Sequence, residues 1–406
     1  MIAMQHLQAL SLPGMPSNPD FERLAKKCLS VMRVNSLSAE GGFKQKWSTP
    51  DRVPHKDCWL WDSVFHSLGM NTVDPAVSWA FLESVFNQQH EDGLISHQAS
   101  VSGKRSAITQ PPILAWGVWE NFLHLHQMDK LRTVAPKLEK YLEWDLANRD
   151  QNNNGLLEWF IEENENCRSG ESGLDNSPRF DEALLLDAVD FSVFAALDML
   201  YLSKIFAELG DFEKQNFWLK KSETMEETIH QNLWDDASGF YYDRKMDGEL
   251  SSVMAVTGFL PLLLPNIPPE RVTRLCALLE DEQHFKTVCP IPSVSVSDPA
   301  WSTDMWRGAS WINMNYLVTL GLQQTGQNEL AEQLRLKNVA MVSKYYQEYG
   351  VIFEFFDSKD EIAPVDCDRK GAPIPPYDLR LKMDSIRDYH WSAALSLLMI
   401  QEIAKT

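Results

Sequence analysis

Apolar positions recur along this chain with the period of an α-helix. Behind Asn18, a residue type that caps helix starts, the run 20–37 places Phe21, Leu24, Ala25, Cys28, Leu29 and Met32 on one face. The same spacing returns at 62–70, 75–87, 112–125, 129–146, 190–209, 211–233, 252–264, 269–280, 309–325, 327–346 and 388–404, which makes twelve predicted helices. Only short strand-like pieces interrupt them, at 240–242 ahead of an Asp247-Gly248 turn and at 351–356. Twelve helices in consecutive antiparallel pairs suit a closed ring of inner and outer helices, an all-α (α/α)6 toroid in which each helix buries a face on its neighbours. A solenoid would carry a fixed-period repeat, and the sequence has none. No Pro/Gly/Ser-rich linker divides the chain, so residues 1–406 are expected to form one unit.

The connections between these helices are unequal. The long ones, 37–61, 88–111, 150–188, 281–308 and 347–387, hold most of the Trp, Asp, Arg and Gln clusters. Alternate connections in a ring of hairpins emerge on one face, so the pattern predicts an elaborated face above an aromatic-lined cup, a binding-site design. Composition agrees: 44% of residues are hydrophobic and 14 are Trp, which serves both a thick core and a pocket that stacks flat ligands. With 37 basic against 57 acidic residues the net charge is −20, and no Lys/Arg run offsets it; neither nucleic acid nor an anionic membrane is an expected partner. The six cysteines, Cys28, Cys58, Cys167, Cys276, Cys289 and Cys367, are scattered without CxxC spacing, the pattern of reduced thiols rather than of a disulfide framework or a zinc site. The opening MIAMQHLQALSLPGMPS lacks a basic and apolar leader. No segment offers the ~18 uninterrupted apolar residues of a membrane span. A soluble, cytoplasmic protein is expected.

The stretch 171–180, ESGLDNSPRF, packs two carboxylates (Glu171, Asp175), a turn-permitting Gly173, an Asn and a Pro-Arg pair into ten residues on one of the long loops. In 55–66, HKDCWLWDSVFH, Asp62 reads either as a helix N-cap or as part of a sugar platform, where Trp59 and Trp61 stack on a pyranose while the carboxylate takes two hydroxyls. Gln110-Pro111-Pro112 fixes an extended approach into a helix with Pro112 near its first turn, and either serves as a structural turn or aims the Gln110 amide at a hydroxyl. The run DQNNNGLLE at 150–158 resembles a calcium loop, but its twelfth position is Ile161 where an acid belongs, so an Asx-rich turn accounts for it better. In 301–315, Trp301, Trp306, Trp311 and Arg307 lead into a helix with Asn313 and Asn315; the loop members Trp306 and Arg307 are the candidates for ligand contact. Glu354, among Ile352, Phe353, Phe355 and Phe356, is either the outward residue of an alternating strand or an acid in an apolar site.

Taken in order, WDS at 61–63, QPP at 110–112, ESGLDNSPR at 171–179, WRG at 306–308 with Trp311 and Asn313 behind it, FEFF at 353–356 and HWSAA at 390–394 resemble the glycoside hydrolase family 63 and trehalase-like group of inverting α-glycosidases. The resemblance runs from about Trp59 to Ala394. It implies an (α/α)6 toroid, a general acid at Asp175, a general base at Glu354, and sugar contacts from Trp61, Asp62, Gln110, Trp306, Arg307 and Trp391, with no cofactor and no metal. Two features depart from the group. The 37-residue interval from Glu354 to Trp391 holds a charged insert, VDCDRKGAPIPPYDLRLKMD, long enough for a mobile lid, and there is no appended β-sandwich. Smaller bacterial members act on glucosylglycerate or mannosylglycerate, and a glycerate carboxylate calls for a guanidinium fork; Arg105, Arg179, Arg307 and Arg387 are the loop candidates.

Inversion needs one carboxyl to protonate the leaving oxygen and another to activate a water on the opposite face of the ring, the two standing about 6.5–9.5 Å apart. A sugar epimerase on the same toroid would instead use histidines, of which His97, His284 and His390 lie near the long loops. A non-catalytic carbohydrate-binding protein would keep the tryptophans and need neither acid.

Overall fold

The computed structural model describes residues 18–53, 55–370 and 384–405. Eleven α-helices are present among them: α1 Pro19–Val34, α2 Leu60–Asn71, α3 Pro75–Phe86, α4 Leu114–Leu125, α5 Met128–Asn148, α6 Val189–Leu209, α7 Phe212–Asn232, α8 Pro269–Leu279, α9 Ile312–Gln324, α10 Asn328–Tyr349 and α11 His390–Ile403. Their starts follow local chemistry. The Asn18 side chain accepts the N–H groups of Asp20 and Phe21 with Pro19 at the first position of α1. Asp74 accepts those of Ala76 and Val77 at the start of α3. Gly210, in the left-handed region at φ 78°, ends α6 and hands over to Asp211, which caps α7.

Six elements pack into a closed inner ring: α2 on α4, α4 on α6, α6 on a 3-10 helix at Val256–Leu263, that helix on α9, α9 on α11, and α11 back on α2. The others lie outside, with α3 on α2 and α4, α5 and α7 on α6, α10 on α9 and α11, and α1 on α11; α8 packs on the short strand Phe240–Tyr241. This is the (α/α)6 toroid. Burial separates its two layers. All of α2 is buried, polar Asp62, Ser63, His66, Ser67 and Asn71 included. Outer α5 buries only the stripe Leu131, Val134, Ala135, Leu138, Tyr141, Leu142 and Asp145.

Two expectations fail for local reasons. The element expected as an α-helix over 252–264 is the 3-10 helix, because Pro261 inside it removes an N–H and disfavours α geometry at Leu260. Gly258 lets this 3-10 helix lie on Phe240, since a Cβ there would stand 2.3 Å from that ring. The expected strand at 351–356 is only a pair of isolated bridges, Phe353 to Arg387 and Phe356 to Ser310. The Asx-turn reading of 150–158 holds in detail: the Asp150 carboxylate accepts the N–H groups of Asn154 and Gly155, and Asn154 accepts that of Leu156.

Candidate active site

The connections that lead into α2, α4, α6, α9 and α11 meet at one cavity. Its walls include Trp59, Trp61 and Asp62 at the start of α2, Gln110 before α4, Gly173 and Asp175 before α6, Met305 and Trp306 before α9, and Glu354, Tyr389 and Trp391 around the start of α11. The cavity encloses ≈ 450 Å³ of atom-free space, its mouth included. The first turns of α2 and α11 border it, an arrangement that favours negative charge there.

The loop 171–180 divides its labour residue by residue. Glu171 is buried and serves as a hub, accepting the Thr109 N–H at 2.9 Å, the Phe160 N–H at 2.8 Å and two bonds from Arg149 at 2.9 and 2.7 Å. Those bonds tie two of the long connections, 88–111 and 150–188, to the end of α5 next to Gln110. Gly173 turns at φ +73°, and a Cβ on it would stand 2.3 Å from the Trp61 ring, so only glycine lets the loop lie on that indole. Asn176 accepts the Trp306 N–H at 3.1 Å and thereby fixes the 305–307 turn. Asp175, between them, is left facing the cavity.

Glu354 is 2% exposed, and Ile352, Phe353, Phe355 and Phe356 on either side are buried as well. The alternating-strand reading therefore fails, since no neighbour shows the outward phase. Its position is held by the backbone, with the Glu354 N–H donating to the Ile386 carbonyl at 2.8 Å and the Phe355 N–H to Ser385 Oγ at 3.0 Å.

Asp62 sits within α2, whose cap position is Trp59, so it is not an N-cap. Burial, and then the charges of Glu354, Asp51 and Asp175, push its pKa well above the usual carboxylate range. Among the described residues its Oδ1 has no hydrogen-bond partner, and neither have the indole nitrogens of Trp59 and Trp391. Three unpaired polar atoms on residues that line one cavity are what a polyhydroxylated ligand would satisfy. The platform behind them is aromatic: Trp306 stacks on Trp311 at 3.7 Å, Trp311 on Phe355 at 4.8 Å, and Trp391 meets Trp61 edge-on at 5.5 Å. Gln110 Oε1 accepts the Trp61 N–H at 3.2 Å, so this side chain caps α2 while it lines the cavity. Helix α4 begins at Leu114, two residues beyond Pro112.

Two expected ligand residues are placed elsewhere. Arg179 is buried against Asp190 and Asp243, which take its guanidinium in four bonds of 2.6–2.9 Å. Arg307 forks onto Asp181 at 2.6 and 2.7 Å and lies outside the cavity wall. The other glycerate candidates are occupied too, Arg105 by the Gln88 and Gln89 carbonyls and Arg387 by Asp384. The cations that do line the cavity are Arg369 and Lys370, from the charged insert. Arg369 donates from Nε to Glu354 Oε2 at 3.0 Å and from a terminal nitrogen to Oε1 at 3.3 Å, and Lys370 Nζ meets Asp175 Oδ2. Burial alone would lower both pKa values, but the charges of Glu354 and Asp175 respectively outweigh it and raise them. The sequence signal was present as consecutive Arg-Lys in an insert longer than the resemblance leads one to expect. Residues 371–383 of that insert, on which the lid expectation partly falls, lie outside the described residues.

Among the described residues one histidine lines the cavity, His55, paired with Asp51 at 2.7 Å. His97 bonds Ser106, His284 faces Ser295 and His390 is buried in a stack with His66, so the pair that an epimerase needs is not brought together there. The described residues hold no group of three or more His, Cys, Asp or Glu placed for a metal ion, and no helix long and apolar enough to cross a membrane.

Comparison with known proteins points to one chemistry. A family model described as the mannosylglycerate hydrolase MGH1-like glycoside hydrolase domain matches residues 54–392. The mannosylglycerate hydrolase of Thermus thermophilus is 25% identical, with 80% of this chain and 94% of that protein covered. The glucosylglycerate hydrolase of Mycolicibacterium hassiacum is 25% identical over 42% of this chain and 43% of its own. The crystal structure of the glycoside hydrolase family 63 mannosylglycerate hydrolase from Thermus thermophilus, in complex with Tris and D-glycerate, superposes with a TM-score of 0.74 at 23% identity, covering 92% of this chain and 99% of that one.

Proposed function

This chain belongs to the mannosylglycerate hydrolase MGH1-like glycoside hydrolase family, and on that premise we propose that it hydrolyses an α-glycoside of glycerate, mannosyl or glucosyl, with inversion at the anomeric carbon. It is a glycoside hydrolase for small glycosides; the aglycone and the roles of individual residues are the proposal. Asp175 is the general acid, giving its proton to the glycosidic oxygen as the bond to the anomeric carbon breaks. Glu354 is the general base, taking a proton from the water that attacks the opposite face. One observation carries this reading: two carboxylates 179 residues apart in the chain line one cavity with four tryptophans.

The remaining walls supply binding. Trp59, Trp61, Trp306 and Trp391 offer apolar faces to the sugar ring. The carboxyl of Asp62 and the indole N–H groups of Trp59 and Trp391 take hydroxyls, and Gln110, its oxygen committed to α2, has its NH₂ left to donate. Arg369 supplies two donors to Glu354, which suits a group that must accept a proton. A cavity this size admits one sugar and a short aglycone rather than a polymer.

The test is to incubate the protein with mannosylglycerate and glucosylglycerate and follow the anomer released by NMR. Initial release of the β-anomer from an α-glycoside supports the assignment, and release of the α-anomer removes the inverting mechanism.

A further inference from the structure

Consecutive residues, Arg369 and Lys370, send their cations to the two carboxylates that the proposed reaction uses in opposite ways. A base must accept, and the fork from Arg369 onto both oxygens of Glu354 is compatible with that. An acid must donate. Lys370 has three N–H donors and no acceptor, so the Asp175 oxygen it meets can only accept from it. As it stands, the structure shows a site whose base is ready and whose acid is engaged.

The engagement is reversible by construction. The Lys370 main chain is anchored, its N–H donating to Asp304 Oδ1 at 2.7 Å, while the ammonium sits at the end of a flexible four-carbon stem. Cys167, His97, Asp62, Arg369 and Asp304 are titratable groups around the pair; the Asp304 carboxylate already accepts the Lys370 main-chain N–H, and Asp62 is a carboxyl of the site itself. To leave Asp175, the ammonium needs another anion close to the glycosidic oxygen, on the side of the departing group.

We propose that Lys370 is a latch on Asp175 that an anionic group on the leaving part of the substrate releases, so that only a glycoside whose aglycone carries a carboxylate beside the glycosidic bond is cleaved efficiently. The proposal rests on the hydrolase reading above. When the substrate carboxylate takes the ammonium, Asp175 picks up a proton from solvent and passes it to the glycosidic oxygen as the bond to the anomeric carbon breaks. Glu354 receives the proton of the attacking water, and one water is consumed per turnover. Lys370 is thus a specificity-determining residue.

The experiment compares kcat/KM on mannosylglycerate with kcat/KM on the matched mannosylglycerol, which lacks the carboxylate, for wild type, Lys370→Gln and Lys370→Arg. Wild type is expected to prefer the acid. Lys370→Gln should lose about 10–100-fold on mannosylglycerate and gain on mannosylglycerol, so that the ratio collapses, while Lys370→Arg restores most of it. A purely structural role would lower both substrates together, and that result, or an unchanged ratio, overturns the latch. A wild type that cleaves neither these nor the glucosyl pair overturns the hydrolase reading and the latch with it, whereas an active wild type with an unmoved ratio overturns the latch alone.

Discussion

Arg179 and Arg369 each meet carboxylates inside the molecule, and they do different work. Arg179 faces Asp190 and Asp243, with all three side chains at most 3% exposed. Asp190 also accepts the Trp159 indole N–H and Asp243 the Val189 N–H, so the cluster is closed on itself and locks the first turn of α6 to the loop before it. Arg369 meets the one carboxylate Glu354, and that contact forms part of a cavity wall. The closed cluster has no bond left for a ligand. The open one does, which is why the same pair of residue types is scaffold in one place and site in the other.

Substitution can break this contrast. The largest effect is expected on the open side: Asp175→Asn and Glu354→Gln should each lower kcat by about 10²–10⁴-fold while the thermal midpoint stays near wild type. Wild-type turnover by either variant on mannosylglycerate or glucosylglycerate would remove its role. On the closed side, Arg179→Met leaves two buried carboxylates unpaired and should cost about 3–5 kcal/mol in urea unfolding. Arg369→Met should reverse that profile, with about a 10–100-fold loss in kcat/KM and little change in the urea midpoint. If Arg369→Met unfolds the protein as Arg179→Met does, the contrast collapses.

A third buried pair sharpens the comparison by pH. His66 and His390 stack at 3.7 Å where α2 meets α11, and burial lowers the pKa of both, that of His390 to about 3. In the unfolded chain a histidine takes its proton near 6.5. The folded state therefore binds fewer protons in the window between, so the pair's contribution is complete above about pH 6.5 and is lost as pH falls toward 3. Urea unfolding at a series of pH values should show a shallower acid loss for His390→Gln than for wild type. The smallest effect is expected at Arg307, whose partner Asp181 is 48% exposed: Arg307→Ala should cost about 0–1 kcal/mol by the same measurement.

Much of the ring was legible because its signals are local. Apolar spacing, the cap at Asn18 and the unequal connections are properties of short windows, and they gave the helices and the elaborated face. Asp175 and Glu354 were legible only as members of an ordered set of motifs. Nothing in residue type separates Asp175 from Glu171, four positions earlier, which the structure makes a hub; only the Thr109 and Phe160 N–H groups and the Arg149 guanidinium, which folding brings to Glu171, do so. Arg179 misled for the same reason, since Asp190 and Asp243 are acids whose positions depend on the ring. Arg369 and Lys370 were visible as a cationic pair, but where an insert folds back is set by tertiary contact. The α-helical reading of 252–264 overlooked Pro261, whose effect could have been read directly.

That 3-10 stretch has a consequence for how the ring is built. At about 2.0 Å of rise per residue, its eight residues reach about 16 Å, a height that an α-helix at about 1.5 Å needs eleven to match. One stave of the barrel is therefore drawn from a thinner coil of chain than the other five. Rewinding it as α-helix, as Pro261→Ala invites, would leave the stave about 4 Å, roughly three-quarters of a turn, short of one rim.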